Sequence, residues 1–241
     1  MKLLIVQNST KYFKGLCAVN NVTFSIDKNE ICGLIGPNGS GKTTLFNLIS
    51  GVFSPTNGDI IFNNQKVVGE PPHLICEKGI GRTFQITKPF LKLSVLENVL
   101  IGALNKTSSI KEAKRKALEV LSKVGLIGKM DTQGSNLTVP ERKRLELARA
   151  LATEPKLLLL DEVMAGLNPT EVKDMLTILK KIAGEGVSLF IIEHIMHAVM
   201  SISQRIMVLH HGELIAMGSP KDVANNEKVI EAYFGEEYSF A

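Results

Sequence analysis

Long apolar runs are missing from this sequence. No stretch approaches the roughly 18 residues needed to cross a bilayer, so any work at a membrane falls to its surface and to partners. The opening run, Met1 to Asn8, holds an apolar stretch too short for a secretory signal. Cysteine is scarce as well. Cys17, Cys32 and Cys76 form neither a CxxC pair nor an even-numbered framework, which argues against a disulfide scaffold and fits a reducing compartment. Blocks of one charge sign are also lacking. The net charge of +4 comes from Lys and Arg interleaved with Asp and Glu, a solvated surface rather than a nucleic-acid footprint, which clusters its cations. The one basic cluster, Lys111 to Lys116, is followed by Leu118, Leu121 and Val124 at helical spacing and reads as the polar face of an amphipathic helix. There is no internal repeat and no low-complexity segment.

What is present is a chain of 241 residues with 44% hydrophobic and 22% charged content, enough to bury the core of one elaborated domain. Leu3 to Val6 and Val22 to Ile26 alternate and read as antiparallel strands, and Ile31 to Ile35 is a short buried strand. A helix is expected over Thr43 to Ser50, then a strand at Asp59 to Phe62. Pro71-Pro72 reads as a chain break. From about Leu93 to Gly134 the pattern turns helical, with segments at Val95 to Gly102 and Ile110 to Val124. A further helix is expected over Glu141 to Ala152. Strands at Leu157 to Leu160 and Val187 to Ile192 then alternate with helices near Thr170 to Ala183 and Ile195 to Ser201, and a hairpin turns at His211-Gly212. Strand–helix alternation argues for an α/β fold with a parallel core. The mid-chain helical block, about 93–152, reads as a subdomain inserted in one domain spanning 1–241.

Two constellations carry chemistry. Gly36-Pro37-Asn38-Gly39-Ser40-Gly41-Lys42-Thr43, followed by Thr44, is a complete Walker A loop between a strand and a helix. Its glycines admit positive φ and let main-chain N–H groups approach phosphate oxygens, and the following helix directs its positive end at the same anion. Lys42 is expected to reach the β- and γ-phosphates of ATP and Thr43 to bind Mg²⁺. The second is Asp161-Glu162, which ends the apolar strand Leu157 to Leu160. Ligands of parallel sheets bind beyond the carboxyl ends of strands. Asp161 is therefore expected in the Mg²⁺ shell and Glu162 beside the water that attacks the γ-phosphate.

In this order the elements resemble the ABC transporter ATPases over nearly the whole chain, which implies a P-loop core with an N-terminal antiparallel β subdomain and an inserted helical one. The resemblance assigns Gln85, in Gly81-Arg-Thr-Phe-Gln85, to Mg²⁺ and the transmembrane partner, and His194 to the γ-phosphate. It assigns Ala165-Gly-Leu-Asn168 to the dimer interface, and Phe13, or alternatively Tyr12, to stacking on adenine. Several runs are similar to the LivG-type ATPases of branched-chain amino-acid importers: Gly81 to Gln85, Ser94 to Val99, Arg144 to Arg149, Ala165 to Pro169, Glu193 to Met196 through Val199-Met200, and Val229 to Gly235. This implies head-to-tail pairing with a second ATPase, transmembrane permease subunits, a solute-binding protein further out, and a place on the cytoplasmic face of the membrane.

The signature, usually Leu-Ser-Gly-Gly-Gln, stands here as Leu137-Thr138-Val139-Pro140-Glu141. Thr138 keeps a hydroxyl for the ATP of the opposite subunit. Pro140 removes an N–H that would face that phosphate, while Thr138 and Glu141 spell a capping box. A non-identical, LivF-like partner with two unequal sites is the expectation. Other readings remain open: an ATPase for another amino acid, urea or lipid system, a soluble ABC ATPase of DNA repair or translation, or a regulatory cassette with weak hydrolysis.

Overall fold

The computed structural model describes residues 1–84 and 89–234. The chain forms two compact units, Met1–Ile75 with Ser188–Ala241, and Cys76–Val187.

In the first unit a long hairpin, β1 (Lys2–Phe13) and β2 (Leu16–Asp27), pairs antiparallel through a bulged register. Both strands run well beyond the expected Leu3 to Val6 and Val22 to Ile26, because bulges let the pairing continue where the alternation of the sequence slips. After β3 (Ile31–Ile35) and α1 (Lys42–Ile49), β4 (Asn57–Phe62) and β5 (Gln65–Lys66) complete a four-stranded sheet ordered β2-β1-β4-β5. β3 lies parallel to both β8 (Ser188–Ile192) and β9 (Arg205–His210). All five residues of β3 and of β8 are buried, which is why these strands read as continuous apolar runs. α7 (Met196–Ile202) follows β8. β9 turns back into β10 (Glu213–Gly218) through His211 (φ 47°) and Gly212 (φ 82°). Two left-handed residues match the right-handed twist of the paired strands. Short helices α8 (Pro220–Ala224) and α9 (Glu227–Phe234) pack Val223 and Val229 onto Ile35, Val199, Ile206 and Val208.

In the second unit α2 (Pro72–Lys78), whose first residues belong to the first unit, leads into β6 (Ile80–Arg82), which is parallel to β7 (Leu157–Asp161). α2 corrects the expected break at Pro71-Pro72: proline suits the first helical position, where its missing N–H would have no partner. α3 (Val95–Ala103), α4 (Ile110–Lys123) and α5 (Val139–Leu151) pack on one another. α5 starts two residues earlier than expected, with Pro140 inside its first turn. α6 (Pro169–Gly184) follows β7. Among the described residues no helix is long and apolar enough to cross a membrane.

Candidate active site

In the first unit the Walker A loop leaves the carboxyl end of β3. Gly36 sits at φ +151°, where a Cβ would lie 2.0 Å from the Leu209 carbonyl oxygen, and Gly41 at φ +104°, where it would lie 2.4 Å from that of Ala18. Only glycine fits either place. Gly41 is the N-cap of α1, whose first turn holds no acidic residue, so the positive helix end is open to an anion. Asn38, Gly39 and Thr43 are exposed, Pro37 and Thr44 half-buried, and Ser40 buried. Lys42 folds over the loop and donates to the carbonyls of Gly36 (2.8 Å) and Pro37 (2.9 Å). β8 ends beside β3, with Ile192 paired to Leu34. The loop and the exposed His194 therefore leave the sheet at the same end.

Phe13, at the end of β1, stands edge-on to Phe53 (5.1 Å between centroids), with the Lys11 ammonium 5.2 Å from its ring centre. It remains 37% exposed, and Tyr12 beside it 46%. Both rings can meet a ligand, and Phe13 is the better braced.

In the second unit β6 and β7 run parallel, and β7 continues two residues past the pairing of Arg82 with Leu159 to end at Asp161. Asp161 is buried; its N–H donates to Thr83 Oγ1 (3.1 Å), and its Oδ2 accepts from Arg82 Nη2 (3.3 Å). Its Oδ1 is buried with no partner among the described residues. Burial pushes this carboxyl above its ordinary value, Arg82 and Lys143 opposing and Glu162 adding to the rise. A buried, unpartnered carboxylate oxygen is a fitting ligand for a hard divalent cation. Glu162 adopts φ 51°, a left-handed conformation costly for a residue with a Cβ and frequent at active sites. Its carbonyl accepts from Lys143 Nζ (2.9 Å) and from the Ala165 N–H (3.2 Å).

Thr138 is the N-cap of α5 (φ −67°, ψ 167°), exposed, and its N–H donates to Glu141 (2.9 Å). Burial raises Glu141, but Lys129 and the Thr138 N–H outweigh it and leave the carboxyl below its usual range. Val139 is exposed. Asn168, where the resembled family often carries aspartate, caps α6 by accepting from Thr170 and Glu171 N–H, both at 3.0 Å. Gln85 lies outside the described residues. Arg82, Lys143 and Glu146 had no role in the sequence reading. Glu146 shows in the sequence as a charge between Leu145 and Leu147, whereas Lys143 is hidden in the charged run Glu141 to Arg144.

A family model described as ABC transporter matches residues 19–165. The chain belongs to the ABC transporter ATPases. A second model, branched-chain amino acid ATP-binding cassette transporter, matches residues 213–239. The chain is 40% identical to the high-affinity branched-chain amino acid transport ATP-binding protein LivG of Escherichia coli (strain K12), covering 97% of this chain and 98% of that one. Among solved structures it resembles a nucleotide-free ATP-binding cassette from an ABC transporter, with TM-score 0.89, 32% identity, and coverage of 98% and 100%. A dimeric cassette in a post-hydrolysis state with ADP and Pi gives TM-score 0.82, 27% identity, and coverage of 90% and 99%. This ABC ATPase has the α/β P-loop fold of its family and couples ATP hydrolysis to transport.

Proposed function

We propose that this chain energises an importer of branched-chain amino acids, binding ATP·Mg²⁺ between itself and a second, non-identical ATPase subunit. The carrying observation is the phosphate loop, with glycines at φ values no other residue tolerates ahead of a helix start without acidic residues. The likeness of residues 213–239 to the branched-chain amino-acid family supports the cargo.

In this reading Gly36, Pro37, Asn38, Gly39, Ser40, Gly41 and Thr44 shape the cradle for the phosphates. Lys42 exchanges its two loop carbonyls for β- and γ-phosphate oxygens. Thr43 and Asp161, with Gln85, hold Mg²⁺, partly through water; when bound, the ion neutralises charge developing on the phosphates. Phe13 stacks on adenine. Glu162 takes a proton from the attacking water as its oxygen bonds to the γ-phosphorus and the bond to the bridging oxygen breaks, leaving ADP and phosphate. His194 touches the γ-phosphate, and Thr138 meets the ATP of the opposite subunit. Closure of the pair pulls on transmembrane permease subunits from the cytoplasmic face of the membrane, with a solute-binding protein acting indirectly. The whole chain, 1–241, acts as one cassette, with about 93–152 as its helical subdomain and no role for nucleic acid.

The test is uptake. Cells lacking the chain are expected to lose high-affinity uptake of radiolabelled leucine, isoleucine and valine, and to regain it with the parent but not with Lys42→Met. Unchanged uptake of all three in the deletion strain overturns the cargo.

A further inference from the structure

Helix α5 carries two buried ionisable residues one turn apart, Lys143 (7% exposed) and Glu146 (8%). Residues at i and i+3 share a helix face, and the apolar neighbours Leu145, Leu147 and Ala148 on the same helix are buried without any polar group. Burying a charge is costly unless it is engaged, and both are engaged with main chain rather than with solvent. Lys143 Nζ donates to the carbonyl of Glu162 at 2.9 Å. Glu146 Oε1 accepts the N–H of Phe84 at 2.6 Å. The first contact grips the residue just past β7, the second a residue just past β6, and these strands are parallel neighbours. One helix face thus clamps the carboxyl ends of two strands, and the same helix begins at Thr138.

The clamp falls on a strained point. Glu162 is left-handed at φ 51°, and such a conformation persists only where surrounding contacts over-determine it. The Ala165 N–H supplies one bond to its carbonyl and Lys143 the other. Losing the Lys143 bond removes one of the contacts that over-determine this conformation and so loosens the direction of the Glu162 side chain. Phe84, held by Glu146, also places its ring against Arg82, whose guanidinium carbon is 5.2 Å from the ring centre and which bonds Asp161.

We propose that Lys143 and Glu146 are positioning residues for ATP hydrolysis, acting through the main chain of Glu162 and Phe84. Neither touches the nucleotide; both fix where the hydrolytic groups point. The inference rests on the reading of Glu162 as the group that activates water.

The experiment compares Lys143→Met, Lys143→Arg, Glu146→Leu and Glu146→Gln with the parent, using the full chain. Methionine and leucine fill the space without the bond, whereas arginine keeps a donor and glutamine an acceptor. Steady-state hydrolysis, binding of a fluorescent ATP analogue and thermal unfolding are measured together. Lys143→Met and Glu146→Leu are expected to lower kcat at least tenfold, with KM and analogue affinity within threefold of the parent. Lys143→Arg and Glu146→Gln are expected to recover most of kcat. Parental kcat in both apolar variants overturns the proposal. So does a loss of kcat that the conservative variants fail to restore, or one matched by loss of analogue affinity, since each marks general damage rather than positioning. If an apolar variant does not fold, Lys143→Ala and Glu146→Ala, which carry neither a donor nor an acceptor, take its place under the same criteria. Glu162→Gln run alongside separates the two levels: parental hydrolysis there refutes the role of Glu162 itself, while its loss beside unaffected clamp variants refutes only the clamp.

Discussion

At the scale of the residue, the Walker A lysine and a buried cysteine show how place decides chemistry. Lys42 already has two carbonyl partners within 2.9 Å, so its ammonium needs no ligand to stay in the loop. Its transfer to phosphate adds attraction between opposite charges to bonds that one charge already strengthens. Lys42→Met is therefore expected to weaken ATP binding at least tenfold and to bring turnover to background, as equilibrium binding and phosphate release would read; unchanged affinity and turnover would refute the phosphate cradle. Cys32 lies in the middle of β3, and burial, reinforced by Glu30, pushes its thiol up to about 12. Reactivity belongs to the thiolate. Thiol reagents at pH 8 are accordingly expected to label the half-buried Cys17 and Cys76 well before Cys32 in the folded chain, with mass spectrometry of the digested protein as the readout.

At the scale of the element, helix starts carry both stability and the ATP interface. The first turn of a helix leaves N–H groups without intrahelical partners, and in α5 one of them is removed by Pro140. In the proposed interface, Pro140→Gly restores a donor toward the phosphate of the opposite subunit. It is expected to tighten ATP-dependent association about tenfold, the worth of one charge-assisted bond; analytical ultracentrifugation with and without ATP measures it. Other starts are capped by carboxylates. Glu97 is held below its ordinary value first by the Ser94 N–H, Glu112 by the Thr107 hydroxyl, and Asp222 by the Ser219 hydroxyl. A carboxyl whose folded value is depressed contributes stability above its unfolded value and loses it as pH falls toward the folded one. Helical signal and Tm are therefore expected to decline as pH drops below about 4. Glu97→Gln is expected to shrink that decline, because position 97 then carries no group that titrates there.

At the scale of the whole molecule, the proposed chemistry is completed by another subunit: Thr138 is exposed at a helix start, and in the proposed mechanism it serves the ATP held opposite. A general base supplies roughly 10²–10⁴-fold of the rate. Glu162→Gln is expected to lower hydrolysis by that order while sparing ATP binding, so that ATP accumulates in a closed pair. Size-exclusion chromatography with ATP and the partner ATPase would show the pair; parental hydrolysis, or two subunits that stay apart, would count against the closure mechanism.

The Walker A loop and the acid pair at the end of β7 were legible in the order of residues, because both are marked by local backbone: glycines at positive φ, a helix start, a strand end. Element types were legible wherever periodicity was long, as in α4 and α6. The three-residue β6 is too short to carry a period, and Pro72 reads equally as a stop or as a first helical residue. Asp161 was nameable from its neighbours, but its bond to Arg82 joins residues 79 apart, and that of Glu146 to Phe84 joins residues 62 apart. Such partners are chosen by which strand ends a helix face covers, and no one-dimensional spacing encodes that. The sequence by itself determined what kind of chemistry this chain performs; tertiary packing alone decided which buried charges hold its groups in place.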